Sequence, residues 1–192
     1  MTFQQEFASW FAPKVPPTSE PPKIGDLAPT TTKLPLDHNK QTVIAFLRHC
    51  GCPFAEKTFI RLREAAKTHR DIDFVAISQS EDGSTDKWLK SLPQYGTEPP
   101  NLQIIVDDKK EVYSKWGMGI SSWAHVLAPG ALSNLFTLAG EGIKNRPTES
   151  GSRWQMGGAF AVGENGRIKW GGPAPRADDV PDFEEVVKKL ST

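Results

Sequence analysis

Both cysteines of the chain lie in one short stretch, and their spacing indicates nucleophilic or redox chemistry. Cys50 and Cys52 are separated by one glycine, and Arg48 and His49 directly precede them. The thiolate is the reactive form of cysteine, and both cations and a helix N-terminus stabilise it. We predict that Cys52 is a nucleophile with Arg48 and a protonated His49 as cationic neighbours. Cys50 is either its redox partner or a buried neighbour.

Each of these residues also has a structural interpretation. A lone cysteine is often an apolar filler of the core. His49 is either a general base beside Cys52 or a turn histidine, and Arg48 at a strand end is equally suited to a structural ion pair. A disulfide between Cys50 and Cys52 would close a small, strained ring, which favours a catalytic bond over a structural one.

The residues around Cys52 predict a strand that ends where a helix begins. The apolar run 42–48 is typical of a central strand that is covered on both faces. Pro53 suits the first turn of a helix that continues to His69. Ligand crevices of open α/β sheets lie at the carboxyl ends of the strands, so a site is expected here.

The remaining pattern alternates strands with helices. Asn165-Gly166 between two apolar runs is a strong hairpin signal. Further strands are predicted over 71–78, 102–106, 158–162 and 167–170. Further helices are predicted over 2–10, from Ser84 to about 92, and over 109–116, 131–143 and 181–190. This order predicts an α/β fold, a mixed and mostly parallel central sheet with helices on both faces, with a loop-rich insertion over 121–152.

The N-terminal part of the chain differs in composition from the rest. Seven of the 16 prolines precede residue 36. We predict an extended N-terminal arm over residues 1–35 and one folded domain over 36–192, in keeping with a length of 192 residues.

Composition excludes several classes of function. The 23 basic and 23 acidic residues balance, which argues against nucleic-acid binding and against a basic membrane-surface protein. No apolar stretch is long enough to span a membrane, and no secretory signal begins the chain. Two cysteines exclude a disulfide-rich scaffold and predict a reducing, cytoplasmic setting. We predict no cofactor and no metal, because the paired spacings of zinc ligands are missing.

Three segments together resemble the AhpC/TSA (peroxiredoxin-like) family of the thioredoxin-like superfamily. They are PKIGDLAP at 22–29, FLRHCGC at 46–52 and QMGGAFAVGENG at 155–166. The resemblance implies a thioredoxin-like fold and an antioxidant thiol oxidoreductase or peroxidase. It further implies a small-molecule or thiol/disulfide substrate, glutathione or a thioredoxin-type protein as reductant, and a homodimer.

The chain departs from this family's pattern at several positions. Relatives carry C-x-x-C, whereas here Cys52 is followed three residues later by Ala55. His49 and Ala45 stand where peroxiredoxins have Thr and Pro. These departures keep two alternatives open: a small-molecule enzyme without net redox chemistry that uses His49 and Arg48, and a catalytically silent binding module.

A substrate pocket is predicted from aromatic and basic residues outside the cysteine stretch. Arg153 and Trp154 precede the hairpin, and Trp123 lies in the loop-rich insertion. Aromatic walls supply contact area for small molecules, although core packing is the simpler interpretation of each tryptophan. Gly157 is assigned to the same pocket as a site of close backbone approach.

Overall fold

The computed structural model describes residues 17–121, 138–140, 142–143, 146 and 149–191. A five-stranded mixed sheet with the order β3-β2-β1-β4-β5 forms its centre. The strands are β1 (Thr42–Phe46), β2 (Asp73–Ser78), β3 (Leu102–Val106), β4 (Gly158–Val162) and β5 (Ile168–Pro173). β1, β2 and β3 are parallel, and β4 pairs in antiparallel fashion with β1 on one side and with β5 on the other.

The sheet is buried on both faces, as the continuous apolar runs predict. Val43 and Ala45 of β1 point into one core layer, and Ile44 and Phe46 point into the other. All four side chains are at most 2% exposed. The central strand therefore has no solvated face, and it presents functional groups only at its ends.

Four helices have both of their ends among the described residues, and they lie on both faces of the sheet. They are α1 (Pro53–Thr68), α2 (Asp82–Lys90), α3 (Glu111–Lys115) and α4 (Phe183–Leu190). The first core layer packs β1 against α1, α2 and α4, and the second packs it against α3. This arrangement confirms the predicted α/β class with helices on both faces.

The described part of the N-terminal segment lies over α3 and along β5. Ser19 N–H donates to Ser114 O at 3.0 Å, and Gly25 N–H donates to Ile168 O at 2.8 Å. An isolated bridge pairs Leu27 with Arg167. The arm thereby covers part of one edge strand.

Several element boundaries differ from the sequence predictions. β1 ends at Phe46, two residues before the predicted end of the strand, although Leu47 N–H still donates to Ile77 O. α2 begins at Asp82 rather than after Ser84, since Glu81 O already accepts the first helical bond from Thr85 N–H. The predicted helix over 2–10 and most of the one over 131–143 lie outside the described residues. Within the part of the chain that is described, no helix is both long and apolar enough to cross a membrane.

Candidate active site at the end of the central strand

A tight turn after β1 places the two cysteines. Cys52 N–H donates to His49 O at 3.1 Å, which closes a four-residue turn. Gly51 has a φ of 114°, a conformation that side chains other than glycine rarely adopt. The turn passes directly into α1, because Glu56 N–H donates to Cys52 O.

Cys52 is the N-cap residue of α1, as the sequence predicts. Its backbone is extended and Pro53 follows in the first turn. The side chain makes no capping bond to the helix, and the residue is 4% exposed. The sulfur therefore lies at the positive end of the helix, and it accepts no hydrogen bond from the N–H groups of the first turn.

Arg48 provides the charged neighbour of this sulfur. Its Nη1 lies 3.8 Å from Cys52 Sγ. The same guanidinium donates to Arg153 O at 2.6 Å and to Ala177 O at 3.4 Å. Two backbone carbonyls thus fix the guanidinium beside the sulfur of Cys52.

His49 is not a cationic neighbour, and the expectation of a protonated imidazole is wrong. The side chain is 3% exposed. Burial, together with the positive charges of Arg48 and Arg153, lowers its pKa from 6.5 to about 3. His49 is neutral at physiological pH, and its Nδ1 lies 3.4 Å from Cys50 O.

Cys50 occupies a different environment, lined by hydroxyl groups. Its Sγ lies 3.6 Å from Ser78 Oγ and 3.8 Å from Thr85 Oγ1, and its N–H donates to Ser80 Oγ. Burial raises the pKa of the Cys50 thiol. Cys50 and Cys52 are both free thiols and are not bonded to each other in this structure. They differ in their surroundings, because Cys50 lies among hydroxyl groups and Cys52 lies beside a guanidinium.

The hydroxyl groups around Cys50 are not among the residues that the sequence pattern predicted for the site. Ser78 ends β2, and Ser80 follows it in the loop. Because β1 and β2 are parallel, their carboxyl ends meet at one edge of the sheet. The pattern Ser-Gln-Ser after an apolar strand was the signal that could have found them.

The residues predicted to form one substrate pocket do not line a single cavity in the structure. Gly157 lines a cavity of about 330 Å³ together with Arg48, Phe54 and Trp170. Arg153 contributes its carbonyl to Arg48, and Trp154 is 2% exposed with its carbonyl bound by Ser121. Trp123 lies outside the described residues.

Gly157 is a point of close approach, as predicted. A Cβ at this position would lie 2.9 Å from Phe46 O and 3.3 Å from Arg48 Cγ. The absence of a side chain lets the start of β4 pass beside the end of β1 and the stem of Arg48. Among the described residues, no group of three acidic, histidine or cysteine side chains is placed to hold a metal ion.

Comparison with solved structures identifies the class of the fold. The peroxiredoxin-like protein from Aquifex aeolicus aligns over 92% of this chain and 91% of its own, with a TM-score of 0.59 and 17% identity. The thiol peroxidase from Chromobacterium violaceum aligns over the same shares, with a TM-score of 0.58 and 14% identity. AhpC of Enterococcus faecalis aligns over 79% of this chain and 73% of its own, with a TM-score of 0.54 and 12% identity. The chain therefore has a thioredoxin-like fold.

The family follows from the sequence itself. The model of the AhpC/TSA antioxidant enzyme family matches residues 61–174, more than half of the chain. The protein belongs to this family, which supports a thiol oxidoreductase function at the level of class. The match begins after Cys52, so the assignment is independent of both cysteines. No curated protein matches the chain.

Proposed function

We propose that the protein is a thiol-dependent peroxidase in which Cys52 is the nucleophile. The observation that carries this proposal is the position of Arg48 Nη1, 3.8 Å from Cys52 Sγ at the N-terminus of α1. A guanidinium and a helix N-terminus together stabilise a negative sulfur, and the thiolate is the form that attacks. Family membership supports the same class of chemistry.

The reaction balances with a peroxide and a thiol. The Cys52 thiolate attacks one peroxide oxygen, the O–O bond breaks, and the alkoxide or hydroxide that leaves takes up a proton. Cys52 becomes a sulfenic acid. A thiol then condenses with the sulfenic acid to form a disulfide and water, and a second thiol reduces that disulfide.

Burial of Cys52 favours a small oxidant. The residue is only 4% exposed. Attack on a protein disulfide requires three sulfur atoms in line, whereas hydrogen peroxide needs space for two oxygen atoms. Arg48, which contacts Cys52, also lines the 330 Å³ cavity, and this cavity is the route we assign to the peroxide.

A small-molecule enzyme that uses His49 for acid–base chemistry is not favoured. The imidazole is buried, and its pKa of about 3 leaves it unprotonated and a weak base at physiological pH. The silent binding module makes a different prediction, namely that no substitution at a cysteine changes any turnover.

The test uses Cys52→Ser and the matched variant Cys50→Ser. The reduced proteins are mixed with one equivalent of hydrogen peroxide, and sulfenic acid is trapped with dimedone and located by peptide mass spectrometry. We expect the adduct on Cys52 in the wild type and in Cys50→Ser, and peroxide consumption to be abolished in Cys52→Ser. Peroxide consumption that persists in Cys52→Ser, or a folded wild type that consumes none, would overturn the proposal.

A further inference from the structure

Gln79 binds the backbone of a segment that is distant in sequence, and it does so through both ends of its side-chain amide. Its Nε2 donates to Ser152 O at 2.8 Å, and Ser152 N–H donates to its Oε1 at 2.9 Å. Gln79 is 2% exposed and Ser152 is 5% exposed, so both bonds are buried. Because hydrogen bonds are directional, the pair of bonds restrains both the position and the orientation of Ser152.

Ser80 holds the same segment to the cysteine turn. Its hydroxyl donates to Ser150 O at 3.1 Å and accepts from Cys50 N–H at 3.1 Å. A Cβ on Gly151 would lie 2.9 Å from Ser80 Oγ and 3.2 Å from Gln79 Oε1. The segment is therefore packed directly against the two residues that follow β2.

The residue after Ser152 is the one that holds the guanidinium of Arg48. Arg153 O accepts from Arg48 Nη2 at 2.6 Å, and Nη1 of the same guanidinium lies 3.8 Å from Cys52 Sγ. The peptide unit that joins Ser152 to Arg153 is planar, so a fixed Ser152 carbonyl restricts the position of the Arg153 backbone. The bonds from Gln79 are thus connected to the sulfur by a short path of fixed groups.

We propose that Gln79 is a positioning residue for Cys52. It acts through the backbone of Ser152 and Arg153, which holds the guanidinium of Arg48 beside the sulfur. The inference rests on the proposed function, because it takes Cys52 as the nucleophile. The position of the guanidinium can nevertheless be tested without any peroxide.

Ser121 attaches the chain on the other side of Arg153. Its N–H and its hydroxyl both donate to Trp154 O, at 2.6 and 2.7 Å. These bonds restrain the residue after Arg153, whereas Gln79 restrains the residue before it. Removing the amide of Gln79 loosens one of the two attachments, and the Arg153 carbonyl can then turn away from the guanidinium.

The test measures the charge near Cys52 with two alkylating reagents of similar size. Iodoacetate is an anion and iodoacetamide is neutral, so a guanidinium near the sulfur favours iodoacetate, whereas a general loosening of the fold changes both rates alike. The protein carries Cys50→Ser, so that only Cys52 reacts. The ratio of the two rates is measured at pH 7 in Gln79→Met, which keeps the length of the side chain and removes both bonds.

We expect Gln79→Met to lower the ratio of the iodoacetate rate to the iodoacetamide rate about threefold, as for the loss of one exposed charge–charge contact. Asn101→Leu is the matched control, because the Asn101 amide likewise donates to backbone carbonyls, but at the other end of α1. This control should lower the free energy of unfolding and leave the ratio unchanged. Gln79→Asn is one methylene too short to make both bonds, and it should also lower the ratio if Gln79→Met does not fold.

A double-mutant cycle separates this role from a purely structural one. In an Arg48→Met background, which lacks the charge, Gln79→Met should have no further effect on the ratio, because both substitutions act on one contact. The inference would be overturned by a ratio that Gln79→Met leaves unchanged, that Asn101→Leu lowers equally, or that Gln79→Met still lowers without Arg48. Failure of the proposed function is distinguishable, because it shows as a protein that consumes no peroxide while the alkylation ratio still reports on Gln79.

Discussion

Arg48 donates through Nη2 to the backbone carbonyl of Arg153 at 2.6 Å. The contact joins the end of β1 to the segment before β4, which is 105 residues away along the chain. It fixes one side of the guanidinium, so that Nη1 lies near Cys52 Sγ. The electrostatics of the sulfur therefore depend on a long-range contact and not on neighbouring residues alone.

Replacing Arg48 by lysine should reduce the reactivity of Cys52. Lysine keeps the charge but cannot donate to two carbonyls and approach the sulfur at once. In a Cys50→Ser background, we expect alkylation of Cys52 by iodoacetamide at pH 7 to slow about tenfold, close to the roughly 1.5 kcal/mol of a hydrogen bond to a charged group. Arg61→Lys, on the exposed face of α1, is the control; an equal rate in both variants would contradict the role of Arg48.

Gly157→Ala should disturb the same site by crowding. The new Cβ would lie 2.9 Å from Phe46 O and 3.3 Å from Arg48 Cγ, so backbone or guanidinium must shift. We expect a loss of about 1–3 kcal/mol in the free energy of unfolding, measured in urea, and slower alkylation of Cys52. Gly172→Ala is the matched control, because a Cβ there meets nothing within 4 Å. Similar losses in the two variants would show that crowding is not the cause.

His49 should make the fold sensitive to acid. Its pKa is about 3 in the folded protein and 6.5 in the unfolded chain, so below pH 6.5 protons bind the unfolded chain preferentially. The stabilisation that comes from keeping His49 neutral is fully present above pH 6.5 and is lost as the pH falls towards 3. The loss in the free energy of unfolding is about 2 kcal/mol at pH 5. Chemical denaturation between pH 7 and 5 measures it. The dependence of the unfolding free energy on pH should be weaker in His49→Gln and unchanged in His38→Gln, the control at an exposed residue. An unchanged pH dependence in His49→Gln would rule out the buried imidazole as its source.

Tyr113 should hold the strand end that carries Arg48. Its hydroxyl lies 2.5 Å from Leu47 O and 2.7 Å from Ile77 O, and the residue is fully buried. Tyr113→Phe leaves Leu47 O without this donor, and we expect a loss of about 1–3 kcal/mol in unfolding free energy. The exposed Tyr95→Phe is the control. An unfolding free energy that is unchanged in Tyr113→Phe would contradict a stabilising role for this hydroxyl.

Local patterns predicted much of the fold and part of the site. The run from Thr42 and the Asn-Gly turn predicted β1 and the hairpin, and Pro53 predicted the start of α1 with Cys52 as its cap. These features depend on side-chain periodicity and backbone preference, which a stretch of sequence carries by itself. The protonation of His49 was misjudged, because it depends on burial and on Arg153, which only folding brings close.

The sequence by itself determined that two thiols meet at the junction of a buried strand and a helix, because that depends only on their order along the chain. The tertiary structure decided what surrounds each thiol. Parallel pairing of β1 with β2 placed Ser78 beside Cys50, and the approach of the chain before β4 placed the fixed guanidinium beside Cys52. Environment is set by residues distant in sequence, and it is environment that makes two identical side chains differ.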